Sequence, residues 1–496
     1  MRFGALTLWL AGLLVSATAA PSGAQENPPA VDRTLAPVSN DVVDIEWPRP
    51  IVRQLPNGLR VVVHPDARSS IVSVRVDVRG AGGLFDPVGR EGLAGLTAIL
   101  IRQGIRANPQ DPSMTADQVA MELDRMAVTL DSMTDSASVA ATIVASGLAS
   151  NAPEWLAIMA RMVVEPDLDA DRLSALRAQG RLGLVEQRGS AAFLAEEALY
   201  SAVYGNHPAS RRSPDYDALQ RISHDDVLDW HQDHYVPGNT TISIETGVPT
   251  ETALTWIEQA FGLWENPAGA ASPPTTPPPT LPAPPREIRL VDRLDAAQTT
   301  FLVGNLSIRR NDPDYAVFRV LNEVLGAGPA SRLAAGLAGD SENAFVAYSA
   351  YSALEYPGLW VVSAAARTAD SGPAIDGVLN QIRRLGEELV PEAELDRAKR
   401  AVVRGFALSL EQPESRLSFT ALGEAHGLDA GYWSDYAARV MAVTPDDVRR
   451  VAVEYWDADT AHIVAVGDAA SILSVIEQAG PVTLYDTAGN RLGTPE

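Results

Sequence analysis

The chain has 496 residues, 46% of them apolar, and carries a formal net charge of −24 at pH 7. This acidity argues against nucleic acid or anionic lipid as a partner, because both need a basic face on the protein. The sequence contains no Cys, which excludes disulfides, thiol chemistry and Cys-based zinc sites. The length and the apolar content predict more than one globular domain.

The first 24 residues predict a secretory signal peptide. Arg2 supplies a positive start, and a mostly apolar run extends from Leu6 to Ala19. The small residues of Ala17-Thr18-Ala19 or of Ser22-Gly23-Ala24 suit a cleavage site. The apolar run is too short for a spanning helix, and no later segment approaches the length of one. We therefore expect a periplasmic or secreted protein without a membrane span. Residues 25–45 are polar and contain Pro, which predicts an extended or disordered arm.

The next elements predict a sheet with helices packed against it. Asn57-Gly58 lies between two apolar stretches and predicts a tight hairpin turn. Apolar and polar residues alternate over residues 72–79, which indicates a strand with one buried face. Thr115 and Gln118 have the spacing of a capping box, so we expect a helix to start at about Ala116.

The stretch from Gly92 to Gly104 follows the alternating strand after a glycine-rich loop, and its apolar residues recur at helical spacing. The segments "LPNGLRVVVHPD" and "SVRVDVRGAGGLFDPVGREGLAGLTAILIRQG" resemble the opening of the pitrilysin/insulinase-type zinc peptidases and their processing-peptidase relatives. In that family a helix here carries H-x-x-E-H, in which two His bind zinc and the Glu is the general base. Gly95, Ala98 and Ile99 stand at these three positions. None can bind a metal or transfer a proton, so the resemblance implies no catalytic residue and no zinc in this chain.

Three other residues are the candidates for an unrecognised metal site. His231 and His234 are three positions apart on a predicted helix and could share one of its faces. The resemblance implies, however, that this helix only packs. Glu186 lies in the helical stretch that carries the third zinc ligand in the family, but without partner ligands a solvated helix residue is the simpler interpretation. An active metallopeptidase with such a site stays open as an alternative.

The composition changes abruptly between the two halves of the chain. Nine of the nineteen residues from Pro267 to Pro285 are Pro and none is charged, which predicts a semi-rigid, extended linker over 266–285. We expect one peptidase-like domain over 46–265, with a degenerate metal site, and a second over 286–496.

The second half repeats the first. A capped helix that leads into an alternating strand occurs in both halves. Corresponding residues, such as Asp225 and Asp446, are 221 positions apart. This repeat predicts two homologous domains of the α+β class, each a β-sheet with helices packed on one face. By resemblance, the two domains together form one half of a clamshell peptidase.

A glycine-rich loop in the second half carries the candidate substrate-binding residues. The run Leu325 to Leu333 resembles the family's "LGGG.SSRL" loop, which handles substrate in non-catalytic processing-peptidase subunits. By this resemblance Gly326, Gly328 and Arg332 are candidates, although a tight turn between two helices explains the glycines equally well. Tyr348 matches a Tyr that grips the peptide backbone in active members. The Arg that accompanies this Tyr in the family falls on or near Ala338, which has no such side chain.

The resemblance covers the chain from about residue 51 to 468 in its structural motifs, while the chemical motif is absent. We therefore expect an exported, non-catalytic homologue of the insulinase-type peptidases, the partner subunit of a zinc-bearing homologous peptidase that acts on peptides. Zinc is expected only in that partner. A purely structural subunit, comparable to the core subunits that this family contributes to respiratory complexes, is the second alternative.

Overall fold

The computed structural model describes residues 45, 47, 49–266, 274–279, 285–338, 346–429 and 431–493. All of these belong to one compact unit, Val42–Glu496. The predicted signal peptide, nearly all of the predicted arm and much of the Pro-rich segment lie outside the described residues. The domain limits at 265 and 286 therefore stay a prediction.

The first half forms a six-stranded sheet in the order β1-β2-β8-β3-β7-β6, in which only β2 and β8 run parallel. Its strands, with a separate two-stranded ribbon of β4 and β5, are β1 (Ile51–Gln54), β2 (Arg60–Pro65), β3 (Ile71–Arg79), β4 (Gly104–Ile105), β5 (Met114–Thr115), β6 (Thr129–Met133), β7 (Ala140–Leu148) and β8 (Thr240–Thr246). Its helices are α1 (Leu93–Leu100), α2 (Ala116–Arg125), α3 (Ala152–Val164), α4 (Ala170–Gln187), α5 (Ala191–Tyr204), α6 (Tyr216–Arg221), α7 (His224–His234) and α8 (Thr250–Phe261).

Alternation along β3 determines which face of this sheet carries the helices. Val72, Val74, Val76 and Val78 are buried in a core with Leu93, Leu96 and Leu100 of α1 and with apolar residues of α3, α7 and α8. The predicted turn at Asn57 joins β1 to β2, and its side-chain amide donates to the carbonyls of Phe261 and Trp264 at 2.9 Å. The capping box of Thr115 and Gln118 opens α2 as predicted.

The second half forms a seven-stranded sheet in the order β11-β12-β10-β13-β9-β14-β15. Its strands are β9 (Ile288–Asp292), β10 (Gln298–Leu306), β11 (Val346–Tyr351), β12 (Leu359–Arg367), β13 (His462–Gly467), β14 (Val482–Tyr485) and β15 (Arg491–Gly493). Its helices are α9 (Tyr315–Asn322), α10 (Arg332–Ala338), α11 (Ser371–Glu387), α12 (Glu392–Ser409), α13 (Pro413–His426), α14 (Tyr436–Met441), α15 (Pro445–Tyr455) and α16 (Ala469–Ile476).

The predicted repeat is present in the structure. α15 begins and ends 221 positions after α7, and capping boxes at Ser223 and Thr444 open the two helices. Each helix leads into a strand, β8 or β13, that lies between one antiparallel and one parallel neighbour. The fold is therefore α+β with two homologous sheets, as the sequence predicts.

Each sheet also receives one helix from the other half of the chain. α5 packs on β10 and β13 of the second sheet, whereas α13 packs on β3 and β8 of the first. α13 begins and ends 222 positions after α5, within one residue of the offset between α7 and α15, so the exchange follows the internal repeat. Trp47 also contacts both halves, because its ring centroid lies 6.1 Å from that of His64 in the first half and 5.9 Å from that of Trp433 in the second.

Candidate functional site

The helix that replaces the zinc-binding helix is held in place by a buried carboxylate. Asp86 accepts hydrogen bonds from the backbone N–H of Gly92 at 2.6 Å and of Ala94 at 2.8 Å, so it caps the first turn of α1. Burial raises the pKa of Asp86 to about 6, although the two N–H donors lower it. Gly92 has φ of 97°, a left-handed conformation that favours glycine, and a Cβ there would lie 2.8 Å from Leu219.

The residues at the three motif positions have no metal-binding or ionisable side chain, but they lie in a regular helix. Gly95 faces open space, because a Cβ built on it meets no other atom within 4 Å. Ile99, one turn later, is half-buried on the same side of the helix. Ala98 is 1% exposed, and its carbonyl accepts a hydrogen bond from the hydroxyl of Ser132 on the edge strand β6. These side chains supply neither a metal ligand nor a base.

The histidines of α7 do not converge. His231 is buried, and its Nε2 lies 2.8 Å from the carbonyl of Val163 on α3. His234 stacks on Trp230 with ring centroids 3.7 Å apart, and its Nδ1 lies 2.6 Å from the carbonyl of Gly80. Burial lowers the pKa of His231 to about 4 and lowers that of His234. Both rings therefore contact backbone carbonyls of different elements.

Glu186, the third residue considered for a metal site, is exposed near the end of α4. Among the described residues, no three His, Asp or Glu side chains lie close enough together to hold a metal ion. No helix in this described part is both long and apolar enough to cross a membrane.

The predicted substrate-binding glycines lie in a tightly packed π-helical turn, Glu323–Ala327, and just after it. A Cβ on Gly326 would lie 2.4 Å from the backbone nitrogen of Ser349, and one on Gly328 would lie 2.3 Å from a carboxylate oxygen of Glu323. Close packing against backbone thus accounts for Gly326, whereas the atom nearest to Gly328 is at the end of a flexible side chain. A role in binding substrate stays a prediction for them.

The structure separates the two predicted substrate-binding side chains. Arg332 forms a two-point ion pair with Glu394 of α12, at 2.9 and 3.1 Å, and its side chain is 10% exposed. Tyr348 is 51% exposed on β11, which is an edge strand of the second sheet. Of the four candidates, Tyr348 is the one that offers a free surface to a peptide.

A cleft of about 720 Å³ lies beside α13, where the first sheet meets the loop Ser352–Tyr356. Six of its charged residues form ion pairs with one another: Arg75 with Asp77 at 2.8 Å, Arg79 with Glu355 at 2.7 Å, and Arg60 with Glu424 at 2.6 Å. Burial lowers the pKa of His426 to about 4, and the positive charges of Arg310 and Arg79 lower it further. No local pattern in the sequence indicates this cleft, because its lining residues come from eight separate stretches of the chain.

The architecture is similar to that of known M16 peptidases. Residues 221–402 match the family described as "Peptidase M16 inactive domain". A crystal structure of a peptidase M16 inactive domain from Pseudomonas fluorescens superposes with a TM-score of 0.77 at 20% identity, covering 84% of this chain and 98% of that one. A protease from Helicobacter pylori gives a TM-score of 0.76 at 18% identity and covers 85% of this chain and 100% of that one. The matched segment supports the predicted resemblance to the insulinase-type M16 peptidases, and the two superpositions, at 20% and 18% identity, show the shared fold.

One curated relative resembles about half of the chain. An uncharacterized zinc protease of Streptomyces coelicolor is 24% identical over 241 residues, which are 48% of this chain and 52% of that protein. The chain thus spans about half the length of this relative. The resemblance predicted from the opening motifs and the glycine-rich loop is confirmed at the level of the family.

Proposed function

We propose that this chain is the non-catalytic subunit of an exported insulinase-type peptidase, and that it pairs with a zinc-bearing homologue and lends it substrate-binding surface. One observation carries the proposal: α1 keeps its buried face and its Asp86 cap, while Gly95, Ala98 and Ile99 stand where the motif needs two ligands and a base. Packing that is kept while the chemistry is absent favours a structural or interface role over a catalytic one. The match to a family described as an inactive domain supports the same proposal.

The metal content of the purified chain is the first test. Zinc sites in this family need two His ligands that this sequence lacks at positions 95 and 99. After dialysis against a weak chelator, elemental analysis should find no stoichiometric zinc, and the chain alone should not hydrolyse peptides. One zinc per chain would instead favour an active metallopeptidase with an unrecognised site.

The edge strand β11 is the proposed substrate surface. An edge strand leaves one row of backbone N–H and C=O groups free, so an extended peptide can add to it as a further strand. Tyr348 would then contact the peptide. In the assembled pair, Tyr348→Ala should raise KM or lower kcat without dissociating the subunits. Tyr348→Phe, which keeps the ring, should change KM and kcat less. Leu294→Ala, at a residue 78% exposed in a loop, is the matched control.

Export rests on the sequence of residues 1–24, which resembles a secretory signal. Cell fractionation and N-terminal sequencing should find the chain in the periplasm or the medium, starting near residue 25. A cytoplasmic protein that retains Met1 or Arg2 would contradict export and leave the pairing proposal intact.

A further inference from the structure

The Pro-rich segment is docked on the first half by two of its backbone carbonyls. Arg79 Nη2 donates to the carbonyl of Thr275 at 2.9 Å, and His207 Nε2 lies 3.1 Å from the carbonyl of Pro278. The two acceptors are three residues apart. A polyproline II helix has three residues per turn, so carbonyls at this spacing lie on the same side of the helix.

The composition of the docked segment suits this conformation. Residues 274–279 read Pro-Thr-Thr-Pro-Pro-Pro, and each proline ring fixes φ near the polyproline II value. Proline has no backbone N–H, so such a segment has more backbone acceptors, its carbonyl oxygens, than backbone donors. Thr275, Pro277 and Pro278 are half-buried, whereas Pro274, Thr276 and Pro279 are exposed. One side of the segment is therefore turned toward the protein.

The two hydrogen-bond donors are also held by contacts that do not involve the segment. His207 is 4% exposed, and its Nδ1 accepts the backbone N–H of Ala209 at 3.1 Å. In the neutral ring Nε2 then carries the proton, and it donates to Pro278. Burial lowers the pKa of His207, which keeps the ring in this neutral form at pH 7. Arg79 is held in turn by both carboxylate oxygens of Glu355, each at 2.7 Å.

Aromatic rings surround the donor His207. Its ring centroid lies 5.2 Å from that of Tyr356 and 5.9 Å from that of Tyr204. The tyrosine hydroxyls are used elsewhere, because Tyr356 donates to the carbonyl of Ala137 and Tyr204 to that of Pro357. Aromatic rings are also what lines the grooves that recognise proline-rich segments in other proteins.

We propose that Arg79, His207 and the rings of Tyr204 and Tyr356 form a binding site for proline-rich peptides in the polyproline II conformation, and that the chain's own linker occupies it. The tether keeps the linker at an effective concentration in the millimolar range, so a free peptide of micromolar affinity competes poorly with it. The site thus becomes available to other proline-rich chains only when the linker leaves. Because Arg79 also binds Glu355 of the second half, the occupied site lies at the joint between the halves.

Fluorescence anisotropy with a labelled peptide Pro-Pro-Thr-Thr-Pro-Pro-Pro-Thr, the sequence of residues 273–280, tests the proposal on the full chain. A variant with Gly and Ser in place of residues 274–279 should bind this peptide, and wild type should bind it at least tenfold more weakly. Adding His207→Phe to the linker variant, which keeps a ring but removes the donor, should abolish binding. A peptide with Ala for the last three prolines is the matched control and should not bind. A linker variant that keeps the wild-type urea midpoint but does not bind the peptide overturns the proposal, and so does equal binding by wild type.

A second measurement does not depend on binding in trans. The chain has no Cys, so Thr276→Cys creates a single site for a nitroxide label on an exposed residue of the docked segment. The label should be immobilised in the Thr276→Cys protein, and His207→Phe should make it mobile. A label that is equally mobile in both proteins shows that His207 does not hold the linker, and contradicts the proposal.

Discussion

Arg416 of α13 and Glu245 of β8 form an ion pair that joins the two halves of the chain. Arg416 Nε donates to one carboxylate oxygen of Glu245 at 2.7 Å and Nη2 donates to the other, with the side chains 12% and 3% exposed. Next to the pair, the Thr420 hydroxyl lies 2.7 Å from His64 Nε2. α13 is thus attached to the first sheet by polar contacts. Its counterpart α5 lies on the second sheet through apolar residues, Leu194 and Leu199 among them.

Breaking this ion pair should weaken the joint between the halves. Glu245→Gln leaves a buried guanidinium without its main charged partner, which costs about 3 kcal/mol of unfolding free energy. Arg416 then keeps its hydrogen bond to the carbonyl of Leu410 and a longer contact with Asp66, at 3.6 Å. Urea unfolding measures the loss. Arg383→Gln, which removes an exposed pair with Asp459, should cost less than about 1 kcal/mol. Equal losses in the two variants would show that the buried pair does not hold α13.

Two glycine substitutions should change the stability of the fold in opposite directions. Gly95→Ala places a methyl group in open space within α1, and the better helix propensity of Ala should stabilise the protein by about 0.5–1 kcal/mol. Gly326→Ala brings its methyl group to 2.4 Å from the nitrogen of Ser349 and should destabilise it by about 1–3 kcal/mol. Thermal or urea unfolding measures both changes. A loss of stability in Gly95→Ala would mean that another group occupies the space beside α1.

Acid should destabilise the fold through His231. Its pKa is about 4 in the folded chain, mainly because of burial, against about 6.5 when unfolded. Protonation therefore favours the unfolded chain: the stability that the neutral ring contributes is complete above about pH 6.5 and is lost as the pH falls toward 4. The difference corresponds to at most about 3 kcal/mol.

Urea midpoints of wild type and His231→Gln between pH 7 and 4 measure this contribution. The variant should lose less stability than wild type over this range, since Gln does not titrate. Asp86 acts in the opposite direction, because its raised pKa makes the fold lose stability as the pH rises from about 4 to 6. The comparison of variant with wild type cancels that effect. Parallel pH profiles would contradict the role given to His231.

Local signals in the sequence predicted much of the fold. The capping boxes at Ser223 and Thr444 are complete within four residues, so the starts of the two repeated helices are readable from the sequence. The exchange of α5 and α13 could not be predicted, because an apolar face shows that a helix is buried but not which sheet covers it. The Pro-rich composition predicted an extended segment, but not that Arg79 and His207 bind its carbonyls.

The candidate site was predicted in part. Loss of the motif at Gly95, Ala98 and Ile99 is readable from the sequence, since it concerns residue types at a fixed spacing. The partner of Arg332 is Glu394, which lies 62 positions further along the chain, and no local pattern indicates that pairing. Such a long-range ion pair occupies the Arg332 side chain, and so determines whether that side chain is available to bind substrate.

The peptidase rate of a zinc-bearing homologue from the same organism, measured with and without this chain, tests the central claim most directly. The account predicts a stable heterodimer by light scattering, since a specific pair should bury well above roughly 1,000 Å². It also predicts a higher kcat/KM for the mixture than for the homologue alone, with zinc bound only by the homologue. Identical rates in a mixture that shows no association would contradict the account.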